Sequence, residues 1–113
     1  MKTIKLIALD LDGTLLNMEK KVPQGNYEAL KQCETAGIQI VPATGRGVGG
    51  IQPMIRELPG AHSAITTNGA VIANLKTNKA IRTCGHSTEM VLRILILAMK
   101  YLSEPAPSLD VQA

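Results

Sequence analysis

The sequence contains no tryptophan or phenylalanine and only two tyrosines. Its core must therefore be aliphatic, and it lacks the aromatic side chains on which single-stranded nucleic acids stack. The net charge of +3 is small, and the lysines and arginines form no dense block along the chain. These features favour solvated charged faces, so we expect no nucleic-acid partner.

Cysteine is scarce as well. Cys33 and Cys84 are too few for the disulfide framework that stabilises small secreted domains. The residues before Thr3 do not resemble a signal peptide, so we expect none. The apolar stretch at residues 88–102 is too short and too interrupted to span a bilayer, which requires about 20 apolar residues. We therefore expect a cytoplasmic protein with no membrane partner.

Two carboxylates two residues apart, Asp10 and Asp12, follow the apolar run from Thr3 to Leu9. The run predicts a central strand of a parallel sheet, covered on both faces. Residues two apart in a strand share a face, so the carboxylates converge where the strand ends and Gly13 lets the backbone turn. Such a pair is suited to a cation, a shared proton or a phosphoryl group, and Mg²⁺ is the natural cation. A solvated Asp-Leu-Asp-Gly turn is the alternative that this spacing leaves open.

The rest of the chain alternates between apolar strands and amphipathic helices. The predicted elements are strands at 38–42 and 64–67, helices at 23–36 and up to residue 58, a hairpin of 70–75 with 79–84, and a helix at 88–102. Gly37 is typical of a helix C-terminus. Pro53, which follows a cluster of glycines, predicts that the second helix begins late or kinks.

Polar residues follow each predicted strand of the parallel sheet. Thr44 comes just after the second strand and Asn68 just after the third, as Asp10 does after the first. Ligands of open α/β sheets bind along the carboxyl ends of the strands. The sequence therefore predicts that these three residues converge on one crevice.

Three segments carry a resemblance to a known family. Asp10–Leu16, with the sequence DLDGTLL, resembles the first signature of the haloacid dehalogenase (HAD) superfamily. Ala43–Arg46 and Thr67–Ala70 resemble the next landmarks of its Cof-type phosphatases, in the same order and at fitting separations. The resemblance implies an α/β fold: a partial HAD-like Rossmannoid three-layer sandwich, with a parallel sheet and flanking helices, plus the start of an α+β cap.

The resemblance also implies roles for individual residues. Asp10 would be the nucleophile and Asp12 the general acid and base, and both would hold Mg²⁺. The residues expected to bind substrate phosphate or order the site are Gly13, Thr14, Thr44, Gly45, Arg46 and Asn68. For Arg46, a contact with phosphate and an ion pair at the surface remain equally open.

The family completes its site with a lysine and an acidic pair from later segments, which have no counterpart in these 113 residues. We therefore expect residues 1–83 to form a partial core and 84–113 the beginning of a truncated cap, in which Ser108–Ala113 opens a strand. The main hypothesis is a Mg²⁺-dependent phosphatase of small phosphorylated metabolites. The alternatives are a catalytically incomplete fragment that binds itself or a partner and, less favoured, a phospho-accepting receiver module.

Apolar residues cover nearly the whole circumference of the helix at 88–102. An isolated helix of this kind exposes apolar surface that another chain can cover. If the usual HAD strand order holds, the first strand would be an edge here, and edges pair readily with other chains. We therefore expect a homo-oligomer formed through this edge and this helix.

Overall fold

The computed structural model describes residues 3–103, which form a mixed five-stranded sheet with three α-helices. The elements are β1 (Leu6–Asp10), α1 (Gln24–Thr35), β2 (Gln39–Ala43), α2 (Pro53–Arg56), β3 (Ser63–Thr66), β4 (Val71–Asn74), β5 (Ala80–Thr83) and α3 (Thr88–Ser103). This alternation confirms the predicted α/β class. The strand predicted at residues 108–113 lies outside the described part of the chain.

The strands lie in sequence order across the sheet, from β1 to β5. β1, β2 and β3 run parallel, whereas β4 and β5 form the predicted antiparallel hairpin. Asp10 pairs with Ala43 and Ala43 pairs with Ile65. The carboxyl ends of the three parallel strands therefore lie side by side, and β1 forms one edge of the sheet within residues 3–103.

The core lies against one face of the sheet. It joins Ile40 of β2 to Leu30 of α1 and Ile55 of α2, with the half-buried Ile7 and Leu9 of β1 packed against it. The alternate β1 side chains are exposed, and Leu6 keeps 51% of its surface accessible. The prediction that β1 is covered on both faces is therefore wrong for the described residues, because the core that includes α1 and α2 residues packs on one face only.

The ends of α1 follow from local sequence. Gly37 adopts a φ of +78° just beyond the helix, and the amide of Ile38 donates to the Cys33 carbonyl at 2.9 Å, so the helix stops as predicted. Pro23 precedes the first helical residue and is itself the N-cap, with no side-chain capping bond. The sequence predicts Pro23 one position later, inside the first turn, so this detail is wrong.

The second predicted helix is shorter than expected. α2 begins at Pro53, in agreement with the predicted late start, but it ends at Arg56 rather than near residue 58. Ile51, Ile55 and Leu58 are nevertheless buried in the core. The predicted residues are thus buried, although only one turn of helix forms and the flanking residues lie in irregular turns.

α3 forms as predicted. The Met90 amide donates to the Ser87 hydroxyl at 3.2 Å, which caps the helix N-terminus. Every residue of α3 is exposed, including Leu92, Leu95 and Met99. Across residues 3–103, no helix is long and apolar enough to cross a membrane.

Candidate active site

The loop after β1 carries the acidic pair and is held in place by its leucines. Leu11, Leu15 and Leu16 are all at least 95% buried. The Leu16 amide donates to the Leu11 carbonyl at 2.9 Å. Gly13 has a φ of +77°, a left-handed conformation that favours glycine. Apolar anchoring and one glycine thus allow a tight turn in which the carboxylates remain exposed.

The hydroxyl of Thr14 connects this turn back to the strand end. It donates to Oδ2 of Asp10 over 3.4 Å, a long hydrogen bond. The other carboxylate oxygen of Asp10 accepts no recorded hydrogen bond from the described residues. Thr14 therefore orients Asp10 weakly and leaves one of its oxygens available.

The loops after β2 and β3 are joined by their backbones. The Thr44 amide donates to the Ile65 carbonyl at 2.9 Å, and the Thr44 carbonyl accepts from the Asn68 amide at 3.3 Å. A further bond of 2.9 Å runs from the Thr67 amide to the Arg46 carbonyl. The two loops consequently form one unit.

Thr44 is the buried polar group in this unit. It is 9% exposed, and its hydroxyl oxygen accepts from the Arg46 amide at 3.1 Å. That bond fixes the turn that follows β2. The hydroxyl hydrogen remains available as a donor toward an anion.

Gly45 and Asn68 approach each other very closely. A Cβ atom at position 45 would stand 2.9 Å from Oδ1 of Asn68, nearer than real Cβ contacts come. Asn68 itself has a left-handed backbone, with φ 53° and ψ 34°, which asparagine tolerates better than most residues. A side chain at position 45 would therefore force the side-chain amide of Asn68 to move.

A pocket of about 240 Å³ opens where the three strands end. Its lining residues are Asp10, Ala43, Thr44, Gly45, Ile65, Asn68 and Gly69. Asp10, Thr44, Gly45 and Asn68 were expected from the sequence, and the structure brings them together. A somewhat larger cavity of about 280 Å³ lies between β1 and α1, but its lining is almost entirely apolar.

Four of the expected residues do not line the pocket: Asp12, Gly13, Thr14 and Arg46. Arg46 lies beside the pocket-lining Gly45, and its Nη2 is 3.7 Å from Oδ1 of Asp12. Of the two interpretations left open for Arg46, the structure shows an ion pair, and its partner is a residue of the acidic pair.

Lys20 is a neighbour of the site that was not predicted. Its Nζ donates to Oδ1 of Asp12 at 2.9 Å. This hydrogen bond is the main cause of a lowered pKa at Asp12. Desolvation opposes it, and the charges of Lys20 and Arg46 add to the lowering. Asp12 thus favours its ionised form. The available signal was Asn17, a residue that favours turns and could have placed Lys20 near the strand end.

The donors present match one loosely held Mg²⁺. Asp10 offers a carboxylate oxygen, and no backbone donor to the Asp12 carbonyl is recorded within residues 3–103. Mg²⁺ accepts one or two protein oxygens and fills its remaining positions with water and phosphate. No group of three or more metal-ligating side chains occurs in the same residues. The set fits an ion shared with a phosphorylated ligand better than a closed structural site.

Comparison with known proteins defines the class to which this chain belongs. Residues 7–104 match the model of the haloacid dehalogenase-like hydrolases. The chain therefore belongs to that family, as its three motifs predicted.

Individual relatives agree with this assignment. The chain is 40% identical over 80 residues to the putative phosphatase YxeH of Bacillus subtilis, covering 68% of this chain and 30% of YxeH. It is 40% identical over 70 residues to the pyridoxal phosphate phosphatase YbhA of Escherichia coli, covering 62% and 26% of the two chains. The chain therefore spans less than a third of the length of each of these relatives.

Solved structures show the same fold. The HAD phosphatase BT1666 of Bacteroides thetaiotaomicron superposes with a TM-score of 0.75 at 32% identity, covering 87% of this chain and 36% of that one. The HAD subclass IIB sugar phosphatase BT4131 gives a TM-score of 0.69 at 27% identity, covering 85% and 37%. The described sheet and helices therefore have the HAD Rossmannoid fold, and the chain spans about a third of these structures.

Proposed function

We propose that this chain carries the nucleophile half of a phosphoric monoester hydrolase that acts on small phosphorylated metabolites. The observation that supports it is the pocket at the strand ends, where the Asp10 carboxylate faces Thr44 and Asn68 across about 240 Å³. A carboxylate beside hydroxyl and amide donors can attack a phosphorus atom whose oxygens those donors hold.

The reaction divides into two displacements. In the first, a carboxylate oxygen of Asp10 forms a bond to phosphorus while the ester P–O bond breaks. Asp12 gives a proton to the leaving oxygen, and it does so from the protonated form, which its lowered pKa makes the minor form at neutral pH. In the second, water attacks the aspartyl-phosphate and Asp12 takes the proton from that water. Inorganic phosphate leaves and Asp10 is regenerated.

The remaining expected residues bind or position the phosphoryl group. Thr44 donates its hydroxyl and the amides near Gly13 and Gly45 donate their N–H groups to phosphate oxygens. Asn68 orders its loop and faces the pocket, and Thr14 orients Asp10. Arg46 adds a positive charge next to Asp12.

Mg²⁺ is part of the proposal. Asp10 and the backbone carbonyl of Asp12 are the groups that would hold it, and when bound it would supply charge neutralisation for the phosphoryl oxygens. With few protein ligands we expect weak affinity, so activity should depend on millimolar rather than trace metal.

The substrate class is inferred from relatives. YbhA is a pyridoxal phosphate phosphatase and BT4131 a sugar phosphatase. We propose that the substrate of this chain is also a small phosphorylated metabolite, and sugar phosphates are the first group to test. We propose that the reaction takes place in the cytoplasm.

Release of phosphate from an aryl phosphate, with and without Mg²⁺, tests the proposal. The intact chain should turn over only with Mg²⁺, and Asp10→Asn should lose at least a hundredfold in rate. Glu19→Gln, which removes a carboxylate from the neighbouring turn, is the matched control and should leave the rate unchanged. Turnover that survives Asp10→Asn would refute the proposed nucleophile.

A second function is favoured by the exposed apolar surface. Leu92, Leu95 and Leu97 of α3 each keep more than half of their surface accessible, and β1 is an edge within residues 3–103. A catalytically incomplete chain that binds a second copy through these surfaces is consistent with both. Absence of turnover together with concentration-dependent association would favour this function over catalysis.

A further inference from the structure

We propose that Lys20 is a phosphate-binding residue and that, together with Arg46, it forms a two-cation clamp on the Asp12 side of the pocket. The inference deepens the proposed phosphatase function and rests on it. It assigns to the first loop a positive charge that the sequence motifs do not contain.

The two cationic side chains lie close to the same carboxylate oxygen of Asp12. Lys20 Nζ lies 2.9 Å and Arg46 Nη2 3.7 Å from the same Oδ1 of Asp12. They come from different loops, since Arg46 follows β2 and Lys20 follows β1 by ten residues. The side chains of Lys20 and Arg46 are 53% and 38% exposed, so both can move toward an entering anion.

The turn that carries Lys20 is held by the side chain and the backbone of Asn17. Oδ1 of Asn17 accepts from the amides of Glu19 and Lys21, both at 3.0 Å, and the Asn17 amide donates to the Lys21 carbonyl at 2.9 Å. Lys20 has a φ of 61° within this turn. No bond that fixes the turn involves the Lys20 side chain, which leaves the ammonium group free to serve the site.

The charges around the pocket explain why a second cation matters. Asp10 and Asp12 bring two negative charges, and Arg46 alone compensates only one of them. With Lys20 the four groups sum to zero, so a phosphate dianion does not meet a net negative site. A lysine ammonium is also a common phosphate ligand that accommodates varied geometry.

The Lys20 ammonium group can bind a phosphate oxygen without leaving the carboxylate of Asp12. Asp12 must lie near the ester oxygen that it protonates, so a phosphoryl group at Asp10 also lies near the partners of Asp12. On binding, Lys20 keeps Asp12 as one neighbour and uses another of its three N–H donors for a phosphate oxygen.

Binding of inorganic phosphate to the intact chain, followed by backbone NMR shifts, tests the clamp without requiring turnover. We expect Lys20→Gln to raise the dissociation constant for phosphate about tenfold or more, which is the effect of losing one charge-assisted hydrogen bond. Lys20→Arg should restore most of the affinity. Lys21→Gln is the matched control, because it removes the adjacent positive charge, which makes no ion pair within residues 3–103.

Equal affinities of Lys20→Gln and Lys21→Gln for phosphate would overturn the clamp, as would a wild-type chain that does not bind phosphate. Failure of the proposed function is a separate result, because it is read from turnover in Asp10→Asn. Where the wild type turns over, Lys20→Gln should raise KM for the aryl phosphate more than it lowers kcat. A loss confined to kcat would contradict phosphate binding by Lys20.

Discussion

Gly45 shows how one absent side chain shapes the site. A methyl group there would stand 2.9 Å from Oδ1 of Asn68, whereas one at Gly47 would meet nothing within 4 Å. We predict that Gly45→Ala displaces the side-chain amide of Asn68 and costs about 1 kcal/mol of stability or less, because the contact falls on the end of a flexible side chain. Gly47→Ala is the matched control, and the NMR signals of the Asn68 side-chain NH2 group measure the difference. Asn68 signals that stay unchanged in Gly45→Ala would contradict the contact.

Asp12 gives a prediction about pH. Lys20 holds its pKa below the ordinary value of 3.8, so the stabilising contribution is present above that value and is lost as the pH falls through the lower, folded-state pKa. Lys20→Gln should raise the pKa of Asp12 in a carboxyl NMR titration. It should also lower the free energy of unfolding at neutral pH but not in strong acid. An unchanged Asp12 pKa in Lys20→Gln would show that the pair does not persist in solution.

At the residue scale, the sequence predicts where a site residue lies better than it predicts which side chain contacts it. Asp10, Thr44 and Asn68 lie around one pocket because each lies at or just past the end of a parallel strand, and that rule can be applied to a sequence. Lys20 lies eight positions from Asp12, and its contact depends on the turn made by Asn17. Asn17 marks a turn in the sequence, but a turn residue alone does not say which side chain the turn brings to Asp12.

The helices differ in how much their leucines contribute to the free energy of unfolding. Leu30 of α1 is 4% exposed in the core, whereas Leu95 of α3 is 53% exposed. We predict that Leu30→Ala costs about 2–5 kcal/mol of stability. The identical change at Leu95 should cost about 0.5 kcal/mol or less at low protein concentration. Urea unfolding of the two variants is the measurement, and a Leu95→Ala cost that matches Leu30→Ala would mean that α3 is buried in solution.

Element type was predictable where one signal dominated. The hairpin and α3 formed as expected because turn residues and a serine cap mark their ends. In the α2 segment the burial pattern is right but the helix is a single turn, since Pro53 sets its start and glycines precede it. Hydrophobic spacing alone could not separate a full helix from turns that bury the same residues.

Within residues 3–103, β1 has one face packed against the core and one exposed face, and it forms an edge of the sheet. Local sequence patterns do not specify what covers an exposed face or an edge. The predicted homo-oligomer remains a prediction at this scale. Its consequence is that sedimentation at rising protein concentration should show larger species, and Leu92→Lys in α3 should reduce them.

A monodisperse monomer at every low-micromolar concentration would count against the oligomer. Glu89→Lys, which alters charge at the polar start of α3 without adding charge to its apolar surface, is a suitable control. It should leave association closer to the wild type than Leu92→Lys does.

The central claim is that Asp10 forms a covalent bond to phosphorus in the pocket at the strand ends. We would measure it by acid-quenching the chain with a labelled aryl phosphate and Mg²⁺, then locating the label by peptide mass. The account predicts label on the peptide that contains Asp10, none in Asp10→Asn, and greater accumulation in Asp12→Asn, because water is no longer activated. No label on the wild type, or label that persists in Asp10→Asn, would contradict it.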